Sequence, residues 1–387
     1  MSPEPAAAGD RQRVVFNGRF LTQVQTGVQR YARETLRAFD TLLDRRADLR
    51  SRFDAELAIP PDAPPLELRH VAVRRVGHTL ARSGHAWEQT WLAWHARHAF
   101  LVNFSYSGPL LKRRQLVTLH DAAVAVAPET FSARYRTVHR AIVWALRDRV
   151  QLMMTVSAFS RDELAHYFGI RRPVLVGREG WEHALARGGD AAAQQTLQKY
   201  GLEPGGYLLA VGSMKPNKNF ALLGAALQRL GRYRWPLAIA GARDERVFQS
   251  APAPGELVRL LGYVSDAELG HLYRHAAWFV LPSLYEGFGL PAVEAMANGC
   301  PVIAAHAASL PEVCGDAALY FDPHDADALA QALRRAAEDK PLRAELIARA
   351  AARLAFHSWH ANAELLAAAL LQARAQPRHA LLHARSA

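Results

Sequence analysis

The chain has 387 residues, 50% of them hydrophobic, with two cysteines and a formal net charge of +11. That length suits two domains with separate cores; so few cysteines exclude a disulfide scaffold and fit a reducing cytosol. No apolar run reaches the roughly 18–20 residues of a membrane-spanning helix.

The start, residues 1–13, lacks the charged-then-apolar order of a signal peptide and reads as a loose tail. A first strand is expected at Arg13–Asn17, followed by a loop through Thr26-Gly27 and an amphipathic helix over Val28–Leu43. PPDAPP (60–65) is a surface break. A strand at Gln115–Leu119 ends on His120-Asp121, and a long helix is expected over Ser132–Arg149. Leu152–Val156 is a buried strand, and Ser157 caps a helix beginning near Ser160. The pattern loosens from Val174 to Gly206, where the domain linker is expected. A second series follows: strands at Tyr207–Val211, Pro236–Ala240, Val258–Leu261, Trp278–Leu281 and Val302–Ala304, with a helix from about Phe220. Alternating strands and helices imply parallel βαβ units, once in each half. The expected domains are 11–185 and 200–358, with a last helical stretch from about 360 to 387 reaching back to the first. The charge divides unevenly between the halves. Residues 1–200 hold 29 Lys/Arg against 19 Asp/Glu, and residues 201–387 hold 18 against 17. A basic first half suggests an anionic lipid surface or a phosphorylated acceptor; its short clusters lack interleaved aromatics, which speaks against nucleic acid.

Chemistry concentrates in VLPSLYEGFGLPAVEAMANGCPVIAA (280–305). A strand ends at Leu281, a glycine-bearing loop follows, Pro291 takes the first position of a helix, and Asn298-Gly299 closes it. Ligands of open parallel sheets bind at such strand-to-helix turns. The helix N-terminus attracts anions, and Gly287 and Gly289 let the backbone approach a phosphate. With Glu286 and Glu294 flanking the loop, the ligand should bear both phosphates and hydroxyls. Three other segments put polar or glycine residues just past a strand: Gln25–Val28, His120-Asp121 and Gly212–Asn219. Asp325-Ala326-Asp327 matches a metal-binding DxD pattern but precedes an alanine-rich helix, so it reads as a cap. GFG (287–289) is a poor dinucleotide fingerprint.

The segments TGVQRYARE (26–34), LHD (119–121), TVSAFSRDEL (155–164), LLAVGSMKPNKN (208–219), LVRLLGYVSDAELGHLY (257–273) and the Glu286/Glu294 stretch resemble, in order, those of the retaining glycosyltransferases of the family 4, or group 1, type. The resemblance implies a GT-B fold, two facing Rossmann-like domains with a cleft between them. It implies a nucleotide-sugar donor, GDP- or UDP-linked, held by the second domain, and a glycan or polyprenyl-linked acceptor held by the first. It implies no cofactor and no obligatory metal. Carried over residue by residue, Glu294 would clamp the ribose, Glu286 the donor sugar, and Lys218 the departing diphosphate. The backbone at Phe288, Gly289 and Leu290 would face the sugar and diphosphate, and that of Gly27 would assist. His120 would touch the donor sugar, Gly212 and Ser213 would line the phosphates, and Val264 would lie against the base. Relatives often carry an arginine after the glycine matching Gly212; here Ser213 stands there, with Lys215 as the substitute cation. Glu179-Gly180-Trp181 stands where relatives often have Asn-Gly-Val. The acceptor is expected at the irregular loops between about 60 and 110.

The expected activity is metal-independent hexosyl transfer, of mannose or glucose, in cell-surface polysaccharide synthesis. The expected location is cytoplasmic, with contact at the inner membrane face through the basic half. Two alternatives stay open on the sequence: a glycoside hydrolase using Glu286 and Glu294 as acid and base, and a non-catalytic basic binding protein.

Overall fold

A computed structural model describes residues 11–78, 84–230, 235–241 and 258–375. The expected N-terminal tail and the end of the last helical stretch, from residue 376, lie outside the described residues.

Two parallel sheets carry the fold. The first contains β1 (Gln12–Asn17), β2 (Phe53–Ile59), β3 (Ala72–Arg75), β4 (Phe100–Asn103), β5 (Gln115–Thr118), β6 (Leu152–Thr155) and β7 (Leu175–Val176), in the order β3-β2-β1-β4-β5-β6-β7. The second contains β8 (Leu208–Val211), β9 (Leu237–Ala240), β10 (Val258–Gly262), β11 (Trp278–Leu281), β12 (Val302–Ala305) and β13 (Ala318–Phe321), in the order β10-β9-β8-β11-β12-β13. Central strands such as FLVN (100–103), WFVL (278–281) and VIAA (302–305) are buried along their whole length, as strands covered by helices on both faces must be. Strand order reverses between β1 and β4 in one sheet and between β8 and β11 in the other. Loops leaving the carboxyl ends at such points diverge and leave a crevice. The loops after β1, β8 and β11 are three of the four segments singled out above, and the fourth follows β5.

The stretch 174–206 is more ordered than a linker. It holds β7 and a helix at Asp190–Tyr200 that ends on Gly201 in the left-handed region, φ +62°. Periodicity hides these because β7 is two residues long and the helix begins after Gly188-Gly189. The helix Trp359–Ala375 packs against Gly27–Arg45 of the first domain. Asn362 Nδ2 donates to Thr35 Oγ1 at 2.9 Å, and Glu182 accepts from Ser358 Oγ at 2.7 Å and from the Trp359 amide, capping the helix. Gly180 is required there, because a Cβ would run into the Trp359 backbone. Asp325 accepts from the amides of Asp327 and Ala328, and Arg229 pairs with Asp327, so the DxD pattern is a helix cap. Among the described residues, no helix is long and apolar enough to cross a membrane.

Candidate functional site

The loops at the carboxyl ends of both sheets enclose a cavity of about 460 Å³. Its second-domain wall includes Ser213, Lys215, Asn217, Lys218, Glu286 and Gly287. Lys218 ends a 3₁₀ turn (Pro216–Lys218) that Asn219 closes in the left-handed region, φ +56°. This turn aims Lys218 Nζ at Glu286 Oε1, 2.5 Å away. Ser283 Oγ donates to the same oxygen at 2.7 Å, and Ser309 Oγ donates to the Glu286 carbonyl at 2.9 Å. Glu286 is therefore fixed by both ends, with one carboxylate oxygen left for a ligand.

The Glu286 loop is docked on the first domain. A Cβ at Gly287 would lie 2.9 Å from both the Asp121 Cβ and the His120 carbonyl, so only glycine permits this approach. The Gly287 carbonyl accepts from Ser157 Oγ at 2.6 Å and from Ser160 Oγ at 2.9 Å. Glu312 reaches across to accept the amides of Ala158 and Phe159 at 2.9 and 2.8 Å. A second-domain carboxylate thus caps a first-domain helix (Ala158–Phe168), and no sequence signal links the two.

His120 is buried between Tyr31 and Tyr106, with ring centroids 4.9 and 5.2 Å away. Its Nε2 lies 2.7 Å from the Phe104 carbonyl, so that nitrogen carries the proton. Burial pushes its pKa down to about 4, so the ring is neutral at pH 7. Its Nδ1 is 4.0 Å from Glu179 Oε1. Burial, with Glu294 and Glu286 nearby, pushes the Glu179 carboxyl well above its ordinary range. Burial thus favours the protonated form of Glu179 beside the imidazole. Burial likewise raises Asp121, which accepts from the Ala123 amide at 2.9 Å. Tyr106 next to it adopts φ +59°, a costly conformation for a bulky residue and one that clusters at functional sites.

Glu294 lies outside the main cavity, in a small recess with Arg30, His183, Asp266 and Tyr273. Its helix starts at Leu290, so Pro291 is the second helical residue and Glu294 falls in the second turn rather than the first. A dipole-offsetting role is correspondingly weaker there. Trp359 Nε1, a donor only, binds His183 Nδ1 at 3.0 Å, which puts the His183 proton on Nε2; that nitrogen donates to Glu294 Oε1 at 2.9 Å. Tyr273 OH donates to Oε2 at 2.9 Å. Burial alone would raise the Glu294 pKa, but His183, Arg30 and Tyr273 hold it below its ordinary range. Arg30 forks onto both Asp266 oxygens at 2.9 and 2.5 Å, bridging the domains. Sequence reasoning missed His183, Tyr273, Asp266 and Arg30; the last lay inside the TGVQRYARE segment without a role.

The other expected positions divide. Gly27, at the start of the Gly27–Arg45 helix, borders the cavity, as does Ser213. Gly212, at φ +156°, sits behind the Lys218 stem, where an added Cβ would lie 3.5 Å from its methylenes. Phe288, Leu290 and Val264 are buried, and none of them, nor Gly289, borders the main cavity. Of the described residues in the stretch 60–110, only His85 and Ser105–Ser107 reach it; the largest share of the first-domain wall comes from residues 123–142. Behind that wall is a buried polar network that the sequence did not signal. Glu88 Oε1 accepts from Asn17 Nδ2 at 2.7 Å and from Ser107 Oγ at 3.0 Å, with Arg19 Nε 3.5 Å away.

Two parallel-sheet α/β domains that meet at this cleft have the GT-B fold of glycosyltransferases. The family model described as glycosyl transferases group 1 matches residues 194–353. The O-antigen chain mannosyltransferase B of Escherichia coli is 37% identical over 261 residues, spanning 64% of this chain and 67% of that one. The chain belongs to the group 1 glycosyltransferases. The serotype-specific mannosyltransferase WbdA of Escherichia coli is 30% identical over 236 residues, which is 56% of this chain but only 28% of WbdA. In fold, the chain is similar to the sucrose-phosphate synthase of Thermosynechococcus elongatus, with a TM-score of 0.73 and 19% identity, covering 94% of this chain and 100% of that one. It is also similar to Anabaena HepE, solved with UDP and glucose, with a TM-score of 0.69 and 16% identity over 94% of this chain and 100% of that one.

Proposed function

We propose that this glycosyltransferase moves a mannosyl residue, with retention, from a GDP- or UDP-linked donor to a glycan or polyprenyl-linked acceptor in cell-surface polysaccharide synthesis. The observation that carries the reading is the Lys218–Glu286 pair, 2.5 Å apart at the rim where the two domains meet. A diphosphate entering the cleft competes for Lys218, and the freed Glu286 carboxylate accepts from the donor sugar's hydroxyls. The mannosyl preference draws on the names of the relatives above, and the nucleotide donor on the HepE complex.

In the proposed step the bond from the anomeric carbon to the phosphate oxygen breaks, and the acceptor oxygen bonds to that carbon on the same face. The acceptor's proton passes to the departing phosphate oxygen. Negative charge grows on that phosphate, and a preorganised cation such as Lys218 contributes about 3–4 kcal/mol at such a point. This assigns charge neutralisation to the chain's own residues, so transfer should persist in chelator. His120, neutral and held by the Phe104 carbonyl, presents its own backbone carbonyl beside Gly287 and positions rather than protonates. Glu294 is the proposed ribose clamp, with Arg30 closing over it from the first domain.

The hydrolase alternative needs two carboxylates flanking one sugar; Glu286 and Glu294 open on different recesses. Contact with an anionic membrane is a separate part of the proposal. Trp94, Trp144 and Leu111 of the basic half are 68, 65 and 90% exposed, and Arg97 and Arg147 lie over the two indoles. Such aromatic and basic groups suit a headgroup region. Failure to sediment with anionic vesicles at low salt would remove this part alone. The function itself is tested by a calorimetric screen of UDP-, GDP-, ADP- and TDP-sugars, followed by the anomeric proton signal of the product. A GDP- or UDP-sugar that binds and yields a product of unchanged anomeric configuration supports it. Inversion, or sugar release without any nucleotide, refutes it.

A further inference from the structure

The cavity wall contributed by the helix Ala133–Leu146 takes no part in the donor chemistry. Tyr135 and His139, one turn apart, stack with centroids 5.6 Å apart, and Phe131 extends the stack at 5.4 Å from Tyr135. Tyr135 is about half exposed at the cavity. His139 lines the same cavity at only 8% exposure, and neither of its ring nitrogens has a hydrogen-bond partner among the described residues. Burial keeps this imidazole neutral at pH 7, so it offers one donor and one acceptor. Buried polar atoms left unpaired are costly; a pair of them on a cavity wall matches a ligand that both donates and accepts, which a hydroxyl does.

Charge narrows the class of ligand. Among the described residues, each arginine and lysine lining the cavity is already engaged: Arg19 by Glu88, Lys218 by Glu286, and Lys215 over the Phe131 ring at 5.0 Å. An apolar aromatic face with a few fixed polar groups and, among the described residues, no unengaged arginine or lysine suits a neutral, hydroxylated ring better than a phosphate. We infer that Tyr135 and His139 form the acceptor subsite, taking a neutral pyranose ring against the exposed half of Tyr135 and a sugar hydroxyl on the His139 imidazole. Rotation of the half-exposed Tyr135 uncovers the imidazole edge for that hydroxyl. The acceptor site therefore lies mainly on this helix rather than on the loops between 60 and 110. This inference rests on the transferase reading above.

The test is a titration of the full chain with a neutral mannotriose and with the same trisaccharide phosphorylated at one hydroxyl, UDP being present. Wild type is expected to bind the neutral sugar. Tyr135→Ala and His139→Ala should each weaken that binding about tenfold while nucleotide-sugar affinity moves less than about twofold. His139→Gln, which keeps a donor and an acceptor, should lose less than His139→Ala. Should the buried His139 variants fail to fold, Tyr135→Ala at the cavity rim decides the matter. Unchanged affinity in Tyr135→Ala, preference for the phosphorylated sugar, or no binding of either trisaccharide overturns the subsite and leaves the transferase reading standing. Absence of nucleotide-sugar binding by wild type, read in its own titration, overturns both.

Discussion

Gly287→Ala tests the domain contact at the centre of the site with the smallest possible change. Gly287 is not among the glycines with positive φ, so alanine is not strained by its own backbone. The added methyl group instead meets the Asp121 Cβ and the His120 carbonyl at 2.9 Å, both across the domain boundary. Overpacking of this kind costs about 1–3 kcal/mol. Here the strain can be relieved by backing the Glu286 loop away, at the expense of the Ser157 and Ser160 hydrogen bonds to the Gly287 carbonyl. The cost should therefore fall on the closed arrangement rather than on either core. Spent entirely there, it lowers kcat/KM by roughly 5- to 150-fold. The assay is nucleoside diphosphate release at fixed donor and acceptor, with a thermal melt alongside. Gly189→Ala is the control, because a Cβ there meets nothing within 4 Å. Wild-type turnover in Gly287→Ala would refute the reasoning, since the loops would then not need this approach.

Lys218→Ala should lower kcat by about 10²–10³-fold, the usual loss for one preorganised charge-stabilising group; steady-state kinetics with saturating donor reads it. Glu294→Ala leaves His183, Tyr273 and Arg30 without their shared anion, and calorimetry should show donor affinity falling at least about tenfold. Glu312→Ala removes two cap bonds between domains and should cost about 1 kcal/mol, read as a lowered denaturation midpoint. The pKa values of His120, His139 and His357 are all pushed down to about 4 by burial. Unfolded histidine titrates near 6.5, so the unfolded chain takes up protons first as pH falls. The stability these groups contribute is present above about pH 6.5 and lost progressively towards pH 4, at up to about 3 kcal/mol for each group. Urea melts between pH 7.5 and 4.5 measure this, and a flat profile would contradict the assignment.

The fold was legible where strands were apolar and bounded by turn residues: Leu152–Thr155, Leu208–Val211 and Trp278–Leu281 lie where periodicity places them. It was not legible at Ala72–Arg75, whose four residues are all exposed at a sheet edge, at the two-residue strand Leu175–Val176, or at Phe53–Ile59, Phe100–Asn103 and Ala318–Phe321, where no strand is expected from the sequence. The Glu286 loop announced itself because its glycines and carboxylates sit together in the chain. The rest of the site is assembled by the fold. His183 meets Glu294 across 111 positions and Arg30 meets Asp266 across 236, and no local pattern marks such pairs. Nothing in the sequence around Glu88 marks it, although its carboxylate is wholly buried among polar partners.

The most direct measurement is single-turnover release of GDP from GDP-mannose in the presence of a mannose-terminated acceptor, comparing wild type with Glu286→Gln. The account predicts acceptor-dependent GDP release in wild type, with mannose appearing on the acceptor, and a loss of about 10²-fold or more in the variant. Equal release by Glu286→Gln, or mannose set free without regard to acceptor, would contradict the assignment of this cleft to sugar transfer.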